Sequence, residues 1–283
     1  MSQPQYAHPE VVVPTQWVAE NIGKPNVRII EVDWDAANAY NLGHIKTAAL
    51  FDWRKDMNHP ITRDIVDKAG FEALLSRAGI NSSDAVILYG DFNNWFAAYA
   101  FWVFKYYGYA DIRLMNGGRK KWIDEKREFT TEMPSFAAST YRAKDADENI
   151  RAFYEYVKRS LGDRTKILVD VRSPAEYKGE VLAPPEYPTE HAARGGHIPG
   201  AISQPWGQAV REDGTFKSVD ELKALYQPKG VTPDKEVIAY CRIGERSSHS
   251  WFVLKYLLGY PNVRNYDGSW TEWGNMVRNP VER

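Results

Sequence analysis

The 283-residue chain contains a single cysteine, Cys241, and the residues after it run Arg242-Ile243-Gly244-Glu245-Arg246-Ser247. The cysteine ends the apolar run Val237-Ile238-Ala239-Tyr240, which reads as a buried strand, and Ser247 to Leu258 reads as a helix. A thiol at the carboxyl end of a strand, followed by a short loop into a helix, faces inward-turned backbone N–H groups and the positive end of the helix dipole. Gly244 supplies the backbone freedom for that curl. Such a ring favours thiolate over thiol, and Arg242 and Arg246 add positive charge. The expectation is therefore a thiol pKa below the ordinary ~8.5 and a nucleophilic sulfur at neutral pH. Lower basicity also weakens a sulfur nucleophile, but the larger thiolate fraction outweighs that loss.

Each of these residues also has a plainer reading. A lone cysteine at a strand end is more often apolar filler than a nucleophile. Arginines at a helix start can be solvated surface charges, although cations are disfavoured there unless an anion compensates them. Glu245 either pairs with one of these arginines or faces water. His249 lies beyond the loop, on the helix, where its side chain need not return to the sulfur, so no Cys-His dyad is expected. Asp170 and Arg172 sit at another strand end and either line the pocket or brace its wall.

The elements that must position these residues show themselves by repetition. Val86-Ile87-Leu88-Tyr89-Gly90 matches Val237-Ile238-Ala239-Tyr240-Cys241 at a constant offset of 151 (237 − 86). Without a gap, Phe101 falls on Phe252, Gly108-Tyr109 on Gly259-Tyr260, Gly117 on Gly268 and Trp122 on Trp273. Upstream, Ile29-Ile30-Glu31-Val32 resembles Leu168-Val169-Asp170-Val171, and Gly43-His44-Ile45 through Trp53 resembles Gly196-His197-Ile198 through Trp206. Gly90 and Trp95 stand where the second half has Cys241 and Arg246, so the first half lacks both nucleophile and anion clamp. Because the scaffold tolerates glycine at that place, packing does not require a cysteine there. His44 and His197 recur in both halves and are expected to be structural, as are Trp53 and Trp206.

Short β-branched runs alternate with amphipathic stretches in each half, which implies an α/β fold built twice, each copy a parallel sheet with helices on both faces. A helix is expected near Ser218 to Tyr226 and a strand over Asn262 to Tyr266. The stretch from Lys178 to Gly195, with Pro184, Pro185 and Pro188, reads as a loop that lengthens the second half. Arg127 to Asn149 is polar and aperiodic. The expected organisation is a first domain over residues 1–130, a linker over 131–149 and a second domain over 150–283.

A formal net charge of −1 and a pI near 6.6 give no basis for a nucleic-acid or membrane-surface partner. No run approaches the ~18 apolar residues of a membrane span, and the polar start lacks a basic region followed by an apolar one. A single cysteine forms no internal disulfide and no Cys-rich zinc cage. A soluble cytoplasmic protein is expected.

The run from Tyr240 to His249, with Asp170-Val171-Arg172-Ser173, Gly196-His197-Ile198-Pro199-Gly200-Ala201 and Asp267-Gly268-Ser269, resembles the tandem-domain rhodanese family of thiosulfate sulfurtransferases over nearly the whole chain. The resemblance implies two rhodanese-like domains, the first catalytically silent, and a double displacement at Cys241. Thiosulfate gives its outer sulfur to Cys241, sulfite leaves, and cyanide or a thiol removes the bound sulfur. Ile243, Gly244, Glu245 and Ser247 would form the active-site loop, and Arg246, with Arg242, would bind the donor. Arg194 resembles positions that approach the site in this family. No metal or organic cofactor is implied.

Three rivals stand against this reading. Cysteine-dependent phosphatases that share the fold carry their arginine six positions after the cysteine, whereas Arg246 follows Cys241 by five. 3-Mercaptopyruvate sulfurtransferases resemble Cys-Gly-Ser-Gly-Val-Thr at this loop, but well-known thiosulfate enzymes have lysine where this chain has Ile243. A non-catalytic redox or sulfur-binding module is the third.

Overall fold

Val27–Asp33, a run rich in valine and isoleucine, forms the longest strand, β2, and pairs in parallel on both sides. The computed structural model describes residues 5–185 and 190–283. The strands accompanying β2 are β1 (Val12–Val13), β3 (Ala49–Asp52), β4 (Ala85–Tyr89) and β5 (Ile112–Met115), in the order β1-β5-β4-β2-β3, all parallel. A second sheet contains β6 (Lys166–Asp170), β7 (Ile202–Ser203), β8 (Glu236–Tyr240) and β9 (Val263–Tyr266), in the order β7-β6-β8-β9, again all parallel. Strands β4 and β8 are offset by 151 residues (236 − 85), as are β5 and β9 (263 − 112), so the sequence repeat is a repeat of structure.

Parallel strands covered by helices are buried on both faces, which is why β4 is buried at every position. The helix Trp95–Tyr106 is apolar all round and almost wholly buried. In the second copy the helix near Ser218 runs Val219–Tyr226, with Ser218 and Glu221 forming a capping box. The helix after the cysteine loop runs Glu245–Phe252 and continues as a π-helical turn over Val253–Leu257.

Smaller details repeat as well. The Tyr89 hydroxyl accepts the Ile45 N–H at 3.0 Å, and the Tyr240 hydroxyl accepts the Ile198 N–H at 3.0 Å. His44 stacks on Tyr40 at 3.7 Å and His197 on Tyr177 at 3.6 Å, each with its Nδ1 within 3.0 Å of that tyrosine's carbonyl oxygen. Both histidines are therefore packing elements.

The chain divides into two compact units, one of Glu10–Asp147 with Val210–Phe216, the other of Met1–Pro9, Glu148–Ala209 and Lys217–Arg283. This division departs from the boundaries expected above. Residues 131–147, read as linker, are tied to the first unit. Ser139 N–H donates to the Ser76 carbonyl at 2.9 Å, Lys144 N–H donates to that of Tyr107 at 3.1 Å, and buried Tyr141 packs on Phe71. Low periodicity concealed a strap bound through its backbone. In the longer segment, residues 178–185 and 190–195 hold no helix or strand, while Pro188 lies outside the described residues.

At the carboxyl edge of the first sheet, Glu31 and Asp33 are fully buried. Burial pushes Glu31 up to about 7 against the Arg119 guanidinium, which donates to it at 2.6 Å. Burial, reinforced by Glu31 and Asp91, pushes Asp33 up to about 9. Unfolded, both would titrate near ~4, so between pH 4 and 9 the folded state binds more protons than the unfolded one. Their stabilisation is complete below about pH 4 and is lost as pH rises through the folded values. Asp33→Asn removes the larger part of that loss: by calorimetry, the variant is expected to melt about 3–6 °C above the parent at pH 8.5 and within about 1 °C of it at pH 5.

Candidate active site

Strand β8 delivers Cys241 to its carboxyl end, and the thiol is fully buried. The Cys241 N–H donates to Ser269 Oγ at 3.1 Å, and its carbonyl accepts the Trp270 N–H at 3.1 Å. These bonds fasten the start of the loop to the Asp267-Gly268-Ser269 turn. Gly244 has φ +98°, and a Cβ there would stand 2.7 Å from Asp267 Cβ, so both conformation and space require glycine. Asp267 cannot give way easily, because Arg151 holds it through two bonds of 2.8 and 2.7 Å.

That turn aims the Gly244 N–H at the sulfur, 3.1 Å away. Ser247 Oγ lies 3.6 Å from Sγ, and the Ser247 N–H also favours negative charge on it. Glu245 Oε2 is 3.5 Å from Sγ, and its Oε1 is 3.8 Å from Arg246 Nε. Of the two readings open for Glu245, pairing with an arginine is the one observed; its residue is fully buried. Ile243 and Arg242 are buried in the same loop, and the Arg242 carbonyl accepts the Thr271 N–H at 2.9 Å.

Arg246 makes a two-pronged bond with Glu176, Nη1 to Oε2 at 2.8 Å and Nη2 to Oε1 at 2.9 Å. Glu176 also closes a capping box with Ser173 at the start of the helix Pro174–Tyr177. Burial alone would raise the Glu176 carboxyl, but the Arg246 charge and its hydrogen bonds hold it at about 2. Sequence reasoning missed Glu176. Its signal was the Ser-x-x-Glu spacing just after Arg172, which reads as a cap and gives no hint of a partner 70 residues away.

The thiol does not match the expected direction of pKa shift. Burial and then the Glu245 carboxylate push Cys241 up, while Arg246 and the Ser247 donors oppose them incompletely. Sequence spacing counted the arginines but neither the dryness of the site nor the acid beside the sulfur.

Arg194 is placed elsewhere than expected. Its guanidinium donates to the carbonyls of Gly274 and Asn279 at 2.9 Å and of Met276 at 2.7 Å, capping the end of the helix Ser269–Asn275. Asp170 and Arg172 form a buried pair at 2.6 Å, and Arg172 also donates to the Gly196 carbonyl and lies 4.7 Å over the Trp270 ring, so they brace the wall. His249 is buried edge-on to Trp206 at 5.1 Å, and burial pushes its pKa down to about 3, leaving a neutral ring.

The Rhodanese-like domain profile matches twice, at residues 14–125 and 153–276. The chain therefore belongs to the rhodanese family. It is 55% identical over 281 residues, 98% of each chain, to the "Sulfur carrier protein TtuD" of Thermus thermophilus. It is 52% identical over 276 residues, 98% of this chain and 99% of the other, to a "Putative thiosulfate sulfurtransferase" of Mycolicibacterium smegmatis. Among solved structures, EanB in complex with ergothioneine superposes with TM-score 0.87 at 26% identity, covering 100% of this chain and 72% of EanB. Another EanB structure has ergothioneine covalently linked with a persulfide cysteine, with TM-score 0.86, 25% identity and the same coverage.

The Arg246–Glu176 pair is buried, so truncating one partner strands a charge. Arg246→Ala is expected to cost about 3–5 kcal/mol in urea unfolding, and the double change Arg246→Met with Glu176→Gln to recover most of it.

Proposed function

We propose that the chain is a sulfurtransferase that takes the outer sulfur of thiosulfate onto Cys241 and passes it to a thiophilic acceptor, cyanide or a thiol. The observation that carries this reading is the only cysteine of the chain at the centre of a glycine-turned loop, its sulfur 3.1 Å from the Gly244 N–H. Sulfur attacks the sulfane sulfur of the donor as the S–S bond to sulfite breaks, leaving a cysteine persulfide. The terminal sulfur then carries the negative charge that the Gly244 and Ser247 donors face. Arg246, fixed in orientation by Glu176, meets the sulfonate end of the donor, and Arg242 adds a second positive charge to the loop. Arg194 has no part in this proposal, since its guanidinium is committed to the helix end. The chemistry proposed calls for no metal or organic cofactor.

Support for the persulfide comes from the loop geometry and from the persulfide cysteine of EanB, and support for thiosulfate from the names of the half-identical relatives. Among the described residues, no helix is long and apolar enough to cross a membrane. A reducing cytoplasm fits the single thiol.

Intact mass after thiosulfate exposure tests the proposal. The expected result is a gain of one sulfur atom at Cys241, reversed by cyanide and absent in Cys241→Ser. No gain in the parent chain, or a full gain in Cys241→Ser, would overturn it. With thiosulfate and 3-mercaptopyruvate at equal concentration, faster loading from thiosulfate is expected, and arylphosphate is expected to remain intact.

A further inference from the structure

Glu245 is a fully buried acid whose Oε2 stands 3.5 Å from Cys241 Sγ, in hydrogen-bonding range for sulfur. Nothing in double displacement at a preformed thiolate requires a carboxylate there. A thiolate and a carboxylate this close in a dry site repel each other, so together they retain one proton. The sulfur has donors aimed at it from Gly244 and Ser247 and one acid oxygen able to receive its proton. The first half gives a contrast. At the offset of 151, Glu245 corresponds to Asn94 (245 − 151), whose amide oxygen accepts the Gly90 N–H at 3.1 Å while its Nδ2 donates to the Met115 carbonyl at 2.7 Å. The half without a sulfur fills the slot with a group that cannot titrate, and the half with the sulfur fills it with an acid.

We propose that Glu245 is a catalytic residue, the proton acceptor that turns the resting Cys241 thiol into a nucleophile as the donor arrives. This rests on the persulfide reading above and adds the fate of the proton. In the loading step the S–H proton passes to Glu245 Oε2 while Sγ bonds to the outer sulfur of thiosulfate. The bond between that sulfur and the sulfonate breaks, with its electron pair going to sulfite. The products are the perthiolate anion, protonated Glu245 and sulfite dianion, so three negative units stand on each side. Sulfite takes the proton from Glu245 and leaves as bisulfite, which returns the carboxylate. Cys241 thus carries negative charge itself only once it holds a second sulfur atom.

The sign of the effect in Glu245→Gln separates this role from a merely electrostatic one. A carboxylate that only disfavours thiolate would act as a brake, and its neutral replacement would load faster at neutral pH. A proton acceptor predicts the reverse. Single-turnover loading followed by intact mass is expected to be about level from pH 6 to 8 in the parent chain. In Glu245→Gln it is expected to be at least about 100-fold slower at pH 7 and to climb with pH. Glu245→Asp, which keeps an acid, is expected to recover part of the rate. A second readout needs no donor: the chain has one S–H group, and its infrared stretching band is expected to move to higher frequency in Glu245→Gln as the carboxylate acceptor is lost. Loading at pH 7 as fast as the parent or faster, or an S–H band that stays in place, would overturn the proposal. If the parent chain takes no sulfur from thiosulfate, the functional reading has failed, and the S–H band alone decides whether the Cys241 thiol donates to Glu245.

Discussion

The loop that follows Cys241 depends on one conformational constraint. Gly244 must take a left-handed turn against Asp267, where a Cβ would come within 2.7 Å of Asp267 Cβ, because that turn brings its own N–H to 3.1 Å from the Cys241 sulfur. From this turn the helix Glu245–Phe252 starts, placing Glu245, Arg246 and Ser247 on its first turn around the thiol. The wall behind it is fixed by groups far apart in sequence, namely Arg151 on Asp267, Ser269 on the Cys241 amide and Arg172 on the Gly196 carbonyl. The proposed role of Cys241 needs this sort of framing, since small displacements of a nucleophile are costly in rate.

Charge around the sulfur is arranged to cancel. Arg246 is matched by Glu176 in a two-pronged bond and by Glu245 at longer range, so the thiol experiences a guanidinium that is already largely compensated. Together with burial and the Glu245 carboxylate, this pushes the thiol pKa up. The proposed perthiolate is larger and more diffuse than a thiolate, which suits it to such a site.

Much of the architecture was legible in the sequence because a repeated run of apolar residues can only repeat the same buried strand. The offset of 151 therefore made β8 the counterpart of β4 and β9 the counterpart of β5. It also separated structural histidines from chemistry, since His44 and His197 each stack on a tyrosine in the same way. Interactions that depend on three-dimensional proximity were not legible. Glu176 reaches Arg246 across 70 positions, Arg194 is drawn to the carbonyls of a helix end, and the polar strap over residues 131–147 is held by backbone bonds that leave no periodic trace. The thiol pKa was misjudged for a related reason. Positive neighbours can be counted along the chain, whereas the desolvation that outweighs them is a property of the folded interior.

The first copy shows what the same frame becomes without its sulfur. Gly90 stands in for Cys241, and the carboxyl edge of its sheet holds the buried acids Glu31 and Asp33, where the second copy has the Asp170–Arg172 pair. The proposed proton transfer to Glu245 requires a buried sulfur that rests as a neutral thiol. The most direct measurement is the pH dependence of alkylation at Cys241 in the parent chain, read by mass on its single thiol. A midpoint above the ordinary ~8.5 is predicted. Full reactivity already at pH 7, as for a preformed thiolate, would contradict it.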